Sequence, residues 1–347
     1  MAAMTWPNEL PGASVQRAVD AQAFLALEHS GRDAIKQWQA AQLTALIQWL
    51  LNQVPWWRDR IGKRVDLDQW HAVPVLSRFE LRKMLVLHGA APVPNEHGAV
   101  TARGDPGTPA GSSGHFVSEC AQRLINHAYY ADHQRQGRNP YAPQACIADD
   151  VPLHDGDHVV MDASLVHGSG PQALRNFNLF TKTQHIQWLT RHSPTYVTLK
   201  PDWFEVALVH AAARKEPLPE IQQILSYGAT ATDSLRRKAR QWLGASVRHR
   251  YVCPECGPLA FQCPRSDAHL HVAVGSVILE VVDPSGQRVA DAKPGEQPMT
   301  GRILVTALHQ YATPLLRYDT GDTAALHPSC PGCGLEVPTL SSLRQNV

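Results

Sequence analysis

The sequence lacks the features that direct a protein to a membrane, to export or to nucleic acid. No apolar run approaches the roughly 20 residues that cross a bilayer, so we expect no transmembrane helix. The first ten residues, MAAMTWPNEL, hold no basic segment followed by an apolar one, so we expect no secretory signal. The net charge of +1 gives no broad electrostatic attraction to nucleic acid or to a membrane surface. These absences predict a cytoplasmic protein that binds neither nucleic acid nor membranes.

The composition is ordinary for a folded protein, with 44% hydrophobic and 18% charged residues in a chain of 347. That length allows two domains or one large one. The seven cysteines are an odd number, and four of them form two C-x-x-C pairs. Without an export signal, this arrangement favours metal binding or reduced thiols over a disulfide framework.

Apolar spacing predicts helices in the first part of the chain. One helical stretch is expected over residues 15–54, because apolar residues recur at three- and four-residue steps up to its end. Pro55 ends that stretch, because proline cannot continue the hydrogen bonding of a helix. The capping box Ser77–Glu80 predicts a further helix through about Leu87.

The middle of the chain predicts a parallel sheet. Residues 93–115 are expected to form a polar loop, 119–137 a helix and 138–175 an irregular segment. From 181 to 247, helical and short apolar segments alternate, which favours parallel strands joined by crossover helices. The predicted helices are Gln184–Arg191, Trp203–Lys215 and Ser234–Leu243, and the predicted strands are Thr195–Leu199 and Ile221–Ser226.

After residue 270 the chain becomes rich in Val and Ile, with turn residues between the apolar runs. This pattern predicts antiparallel or mixed β-structure. The predicted strands lie within His271–Val282, Gly301–Leu308 and Tyr311–Tyr318, with a turn at Asp283–Gly286.

Several short blocks occur in the order found in adenylate-forming, or AMP-binding, enzymes. They resemble most closely the phenylacetate–CoA ligase branch and its relatives from capsular-polysaccharide clusters. The block Pro314–Asp322, PLLRYDTGD, is the most specific, because it resembles PLIRYRTGD of that branch almost letter for letter. The other blocks are QVPWWR (53–58), which resembles NVPYYR; YVCPE (251–255), which resembles YGSTE; 263–272, which resembles C…LHV; and 294–296 with 301–306, which resemble GE…GELVVT.

The resemblance implies an α/β adenylation core with a parallel sheet, crossover helices and a β-rich part. Such enzymes are ligases in which a carboxylate attacks the α-phosphate of ATP and pyrophosphate leaves, giving an acyl-AMP. By resemblance, Glu255 helps to hold Mg²⁺, Tyr251 packs against adenine, and Asp322 accepts hydrogen bonds from the ribose hydroxyls. Gly228, just after the last predicted parallel strand, joins the nucleotide-binding candidates. The pocket for a small acid is expected around Tyr227–Thr232, because open α/β sheets bind ligands at such strand ends.

The expected phosphate loop departs from the family pattern. The family reads TSGSTGTP, and its counterpart here is ARGDPGTP, Ala102–Pro109. Asp105 adds negative charge and Pro106 removes a backbone N–H that could bind phosphate, so the loop is predicted to be degenerate. Arg103 is a candidate catalytic residue, as a phosphate donor. The retained phosphate-binding candidates are Gly104, Gly107 and Thr108.

The end of the sequence also departs from the family. The family continues beyond the position of Val347 into a smaller domain whose lysine is needed for adenylation. We therefore expect an adenylation core without its C-terminal lid, for which complete CoA ligation by this chain alone is not expected. Besides nucleotide and a small acid, the expected partners are a carrier protein or a chain that supplies the missing lid.

The cysteines predict a zinc site. Cys330 and Cys333 form a knuckle of the kind in which two thiolates bind zinc from one tight turn. The resemblance supplies Cys263 and His271 as the two further ligands of a structural Zn²⁺ site.

Other assignments of the cysteines stay open. His269 competes with His271, because residues two apart on a strand share a face. A four-cysteine ribbon would combine the 253–256 pair with the 330–333 pair, and reduced cysteines without metal are a further alternative. Cys120 and Cys146 are predicted to be buried thiols.

The sequence thus predicts three parts: a helical region (1–95), an α/β sheet layer with the degenerate phosphate loop (96–250), and a β-rich part with the nucleotide motifs and the zinc site (251–347). Two functions are consistent with them. One is activation of a small acid, with aromatic acids as candidates, to its acyl-AMP. The other is a catalytically degenerate adenylation fold that acts as a binding or scaffold protein in a biosynthetic pathway. A third interpretation keeps the fold but lets a cysteine or the metal act on a non-nucleotide substrate.

Overall fold

A computed structural model describes residues 13–104, 114–139, 141–149, 151, 159–161, 172–289 and 298–346. Within this part of the chain there are eight α-helices and fourteen β-strands. The helices are α1 (Ala13–Glu28), α2 (Arg32–Gln53), α3 (Pro55–Ile61), α4 (Arg78–His88), α5 (Glu119–Arg135), α6 (Lys182–His192), α7 (Pro201–Ala213) and α8 (Asp233–Lys238), which runs on into a π-helical turn at Ala239–Leu243. The strands are β1 (Val100–Arg103), β2 (His115–Ser118), β3 (Gln144–Ala148), β4 (Val159–Met161), β5 (Gln172–Asn176), β6 (Tyr196–Leu199), β7 (Gln223–Ser226), β8 (Ser246–Cys253), β9 (Gly257–Gln262), β10 (Leu270–Val272), β11 (Val277–Val282), β12 (Thr300–Ala307), β13 (Tyr318–His327) and β14 (Thr339–Arg344).

Twelve of these strands form one sheet, in the order β11-β12-β13-β14-β10-β9-β8-β7-β6-β3-β5-β4. β5, β3, β6, β7 and the first half of β8 run parallel. The alternating segments between 181 and 247 predict this for β6 and β7. From β8 to β11 the neighbours are antiparallel. The predicted fold class, an α/β core with a parallel sheet and a β-rich part, is therefore confirmed.

β8 joins the two halves of the sheet. Its first half pairs with β7 in parallel, with Ser226 opposite His249, and its second half pairs with β9 in antiparallel fashion, with Arg250 opposite Phe261. The predicted boundary between the α/β sheet layer (96–250) and the β-rich part (251–347) falls inside this strand. Arg250 also donates to Asp132 at 3.1 and 3.2 Å, which ties β8 to α5 through a buried ion pair.

The N-terminal helices follow local rules, with one difference from the prediction. The expected stretch 15–54 is broken into α1 and α2 at Gly31, whose φ of 87° does not fit a helix. Pro55 begins α3 at its first position, where the missing N–H breaks no helical bond. The capping box Ser77–Glu80 opens α4 as predicted.

Other predictions of the local structure were wrong. The loop expected at 93–115 contains β1 and the first residue of β2, and the irregular segment at 138–175 contains β3, β4 and most of β5. The third β-rich strand begins at Tyr318 instead of Tyr311, because Pro314 lacks a donor and Arg317 adopts a left-handed φ of 49°. His271–Val282 is split into β10 and β11 by a turn.

In the described part of the chain, two large hydrophobic cores lie against the sheet. One packs α6, α7 and α8 against the parallel strands, and the other packs the N-terminal helices and α5 against the antiparallel strands. Cys120 and Cys146 are only half-buried, so their prediction as buried thiols was wrong. No helix among the described residues combines the length and apolar character needed to cross a membrane.

Candidate nucleotide site and metal centre

Glu255 lies in the turn that joins β8 to β9 and is only 8% exposed. Both of its carboxylate oxygens have donors. Oε1 accepts from the Tyr318 hydroxyl at 2.8 Å, and Oε2 accepts from the Cys253 thiol at 3.0 Å. The Arg78 guanidinium lies 3.8 Å from Oε1, with its side chain 59% exposed. The candidate Mg²⁺ ligand is thus surrounded by donors of its own chain, of which Arg78 is the most accessible.

Backbone pairing brings Arg78 and Tyr318 to this carboxylate. Leu76 forms a parallel bridge with Tyr318: its N–H donates to the Arg317 carbonyl at 3.0 Å, and its own carbonyl accepts from the Asp319 N–H at 2.9 Å. Arg78 follows two residues later, in the first turn of α4. Sequence reasoning missed Arg78, because the capping box accounts for its segment and nothing local reveals the bridge.

Tyr251 and Asp322 are in direct contact. The Tyr251 hydroxyl donates to Asp322 Oδ2 at 2.8 Å, and Oδ1 accepts from the Asn346 backbone N–H at 2.8 Å. Tyr251 is 1% exposed. Burial raises the pKa of Asp322 above its ordinary value, and burial together with the Asp322 charge raises the pKa of Tyr251. The residues expected to contact adenine and ribose therefore contact each other.

The phosphate-loop counterpart starts at the end of β1 in a two-stranded hairpin. Arg103 is exposed and its guanidinium donates to Gln122 at 3.2 Å on α5. Gly104 is the last described residue before the loop, while Gly107 and Thr108 lie outside the described residues. The other strand of the hairpin is anchored by Thr313, whose hydroxyl accepts from the Phe116 N–H at 2.7 Å. The hairpin thus lies next to the start of the Pro314–Asp322 block.

Gly228 lies at the carboxyl edge of the parallel strands. Its φ of 75° is in the left-handed region, and a Cβ added there would lie 3.6 Å from Lys200 Cε. The Lys200 ammonium forms an ion pair with Asp149, which follows β3. Sequence reasoning missed both residues, although Lys200 directly follows a predicted strand and this edge is where open α/β sheets bind ligands.

The predicted metal ligands come together in space. One ligand atom from each of Cys263, His271, Cys330 and Cys333 lies within 4.8 Å of the other three. β10 pairs with both β9 and β14, which brings His271 next to the end of β9 and to the turn before β14. That turn is closed by a hydrogen bond from the Gly334 N–H to the Cys330 carbonyl at 2.8 Å. Three sulfurs and one imidazole nitrogen suit a closed tetrahedral zinc site.

The competing ligands lie elsewhere. His269 Nδ1 is 2.7 Å from the Ser266 hydroxyl and its ring meets that of His327 edge-on, so of the two histidines only His271 belongs to the cluster. Cys253 bonds to Glu255 instead. Burial raises the pKa of Cys263 to about 12 and lowers the pKa of His271 to about 3. Without a cation, Cys263 and His271 are therefore held in their uncharged forms.

Comparison with known proteins gives the family. A sequence model described as AMP-binding enzyme matches residues 128–306, which is more than half of the chain. The chain belongs to the AMP-binding enzyme family. The matched segment runs from α5 to β12 and includes Gly228, Tyr251 and Glu255, while Asp322 follows it.

Solved structures show the same fold as this AMP-binding family member. An open conformation of 2-hydroxyisobutyryl-CoA ligase with 2-HIB-AMP and CoA aligns with a TM-score of 0.71 and 18% identity, covering 91% of this chain and 75% of that chain. The same ligase in the postadenylation state with R3-HIB-AMP aligns with a TM-score of 0.67 and 17% identity, covering 88% of this chain and 66% of that chain. At these identities the likeness shows the fold, which is that of an adenylate-forming core.

One curated relative matches over a short segment. Chalcone synthase cfoA from Aspergillus candidus is 29% identical over 144 residues, which is 38% of this chain. The match covers 5% of that protein's length.

Proposed function

We propose that this chain activates a small carboxylic acid with ATP, giving an acyl-AMP and pyrophosphate, and that it is a relative of the phenylacetate–CoA ligase branch. Membership in the AMP-binding family supports the reaction type, and the Pro314–Asp322 block supports the branch. The observation that carries the proposal is the placement of two carboxylates along β13. Glu255 bonds to Tyr318 at the start of that strand, and Asp322 follows four residues later.

In this reaction an acid oxygen attacks the α-phosphorus of ATP, and the bond to the pyrophosphate oxygen breaks. Bound Mg²⁺ would neutralise phosphate charge, and Glu255 is its proposed ligand, since each oxygen keeps a lone pair beside its present donor. Asp322 would accept from the ribose hydroxyls. Arg103 and Arg78 would donate to phosphate oxygens, because guanidinium groups make charge-assisted bonds to them.

We propose the remaining nucleotide contacts in the counterpart of the phosphate loop and at the carboxyl edge of the sheet. Gly104, Gly107, Thr108 and Gly228 would let the backbone approach the nucleotide, and Tyr251 would border the adenine. The acid pocket is proposed around Tyr227–Thr232, beside Lys200, with aromatic acids as candidates. A carrier protein is the proposed partner for the step that follows activation.

The cysteine–histidine cluster is proposed to hold a structural zinc ion. Its four donors fill a tetrahedral site and leave no open position for a substrate, so the ion would stabilise the fold and take no part in the chemistry. It would fasten β9, β10 and the turn before β14 to one another.

One observation favours a second function. Both carboxylates of the nucleotide site already have donors within the chain, and Tyr251 is buried against Asp322. A site satisfied in this way would suit a degenerate adenylation fold that binds a partner without turnover.

Exchange of labelled pyrophosphate into ATP tests the proposal. We expect exchange that depends on an added acid, measured over a broad panel that includes aromatic acids. Glu255→Gln should abolish it, whereas Glu220→Gln, which changes an exposed carboxylate at the other end of the parallel strands, should leave it unchanged. Absence of exchange with every acid, together with intact AMP binding, would favour the second function.

A further inference from the structure

A cavity lined by arginines lies at the edge of the sheet opposite the candidate nucleotide site. It has a volume of about 240 Å³ and is formed at the start of β8 and after the end of β9. Because β7 and β8 are parallel there, their carboxyl ends, and with them Gly228, face the other edge of the sheet. We call this cavity the arginine pocket; its charged lining residues are Arg236, Arg240, Arg248, Arg265 and Asp267.

Two of the guanidinium groups are fixed in place. Arg236 donates to the Val247 carbonyl at 2.7 Å and to Gln262 at 3.2 Å. Arg248 donates to Asp267 at 3.0 Å and to the Pro264 carbonyl at 3.3 Å. These bonds hold both cations at the pocket wall before any ligand arrives, which reduces the entropy lost on binding.

The positive charge of the pocket is not balanced. Among the described residues that line the pocket, Asp267 is the only carboxylate, and it already lies 3.0 Å from Arg248 and 3.7 Å from Arg236. Arg240 and Arg265 are exposed, and their guanidinium groups pair with no residue that the structure describes. Four cations against one anion leave a net charge of about +3 in one concave site, which attracts anions.

The arrangement is more than a solvated face, because it is assembled from three segments. Arg236 and Arg240 are four residues apart and share a face of the α8 segment, Arg248 comes from β8, and Arg265 from the turn after β9. Burial lowers the pKa of Arg236 and the neighbouring Arg248 lowers it further, while the charges of Asp267 and Asp233 act in the opposite direction.

We propose that the arginine pocket binds the phosphate group of a small phosphorylated molecule. Guanidinium groups present paired N–H donors that match phosphate oxygens, and Ser246 in the lining offers a hydroxyl. The volume of about 240 Å³ is large enough for one phosphate group with part of an attached molecule. Since it lies across the sheet from Gly228, the bound group is distinct from the ATP of the proposed reaction.

Calorimetric titration of the whole chain with inorganic phosphate and with glycerol 3-phosphate tests this site. The double variant Arg240→Gln/Arg265→Gln removes the two exposed guanidinium groups and should weaken binding of both probes at least tenfold. Arg237→Gln is the matched control, because Arg237 is exposed on the same helix and does not line the pocket; it should bind as the wild type does. A tighter monoester would identify a phosphorylated molecule as the ligand, and equal affinities would identify free phosphate.

A second variant, which is expected to gain affinity, excludes misfolding as the cause of the changes in phosphate binding. Asp267→Asn removes the opposing charge and keeps an oxygen for Arg248, so it should bind phosphate several-fold more tightly. The proposal is overturned if neither probe binds at millimolar concentration, or if the double variant binds as well as the control. Equal binding by the double variant and the control is the result expected if phosphate binds at the nucleotide site.

Discussion

The Tyr318 hydroxyl donates a 2.8 Å hydrogen bond to the Glu255 carboxylate, which joins the first residue of β13 to the turn between β8 and β9. Burial raises the pKa of Tyr318, and the Glu255 charge raises it further, so the phenol stays protonated as a donor. This bond links the two sequence blocks in which the family resemblance is concentrated.

Removing this hydroxyl should weaken the fold. Tyr318→Phe leaves a buried carboxylate oxygen without its main donor, which costs about 1–3 kcal/mol in the free energy of unfolding. The measurement is a denaturant titration. Tyr311→Phe is the control, because the Tyr311 hydroxyl bonds to no described residue, and it should change stability by less than about 0.5 kcal/mol. Equal losses in both variants would show that the bond to Glu255 contributes nothing.

Asp322 should control nucleotide binding if the proposed ribose contact is right. Asp322→Asn keeps one oxygen for the Asn346 N–H but loses an acceptor and the charge, so AMP should bind at least about tenfold more weakly by calorimetry. Asp319→Asn is the matched control on the same strand. Asp319 bonds to Arg302 and to the Gly321 N–H, away from Tyr251, and its variant should bind AMP normally. AMP binding that survives Asp322→Asn would place the nucleotide elsewhere.

Zinc content should separate the two histidines near the cysteine cluster. The purified protein should contain one zinc ion per chain by elemental analysis. His271→Asn removes one of four ligands and should lower both the zinc content and the thermal midpoint, whereas His269→Asn should leave the zinc content unchanged. Zinc that is lost from His269→Asn and retained by His271→Asn would contradict the proposed ligand set, and a zinc-free wild type would support reduced cysteines.

Acid should destabilise the protein through three histidines, of which His185 and His249 are fully buried and His309 is half-buried. Burial lowers the pKa values of His185, His249 and His309 to about 4, below the value of about 6.5 in an unfolded chain. Between these values the unfolded chain binds protons that the folded chain does not. Unfolding therefore takes up protons, and the free energy of unfolding falls as the pH falls through this window.

Denaturant titrations at a series of pH values measure this proton uptake as the slope of stability against pH. His249→Asn should reduce the uptake by about one proton. His210→Asn, which changes an exposed histidine on α7, should leave it unchanged. A stability that is flat across the window would mean that these rings are protonated in the folded chain.

The sequence predicted best what depends on residues close together in the chain. The capping box Ser77–Glu80 and the alternation of helices and strands between 181 and 247 were enough to predict α4, α6, α7 and the parallel sheet. β5 was missed because it contains Gln172, Arg175 and Asn176, which hide the apolar pattern of a strand. β3, in the same segment, was missed with it. Parallel pairing of β5 with β3 decides their structure, and pairing between distant segments leaves no local signal.

The candidate site divides in the same way. Resemblance selected Glu255, Asp322 and the metal ligands, since motifs mark residue types at fixed spacing. It could not show that Asp322 already accepts a hydrogen bond from Tyr251, or that Arg78 lies beside Glu255. Both contacts depend on β13. Its first residue, Tyr318, pairs with Leu76, and Asp322 on the same strand bonds to Tyr251.

β8 pairs in parallel with β7 and in antiparallel fashion with β9, so the candidate site depends on the register of this one strand. Side chains alternate between the two faces of a sheet, so one residue inserted after His249 would leave the pairing with β7 intact and invert every side chain from Arg250 onward. Tyr251 would then turn away from Asp322, and Arg250 would leave Asp132. The length of this strand, and not only its sequence, therefore determines whether Tyr251 reaches Asp322 and whether Arg250 reaches Asp132.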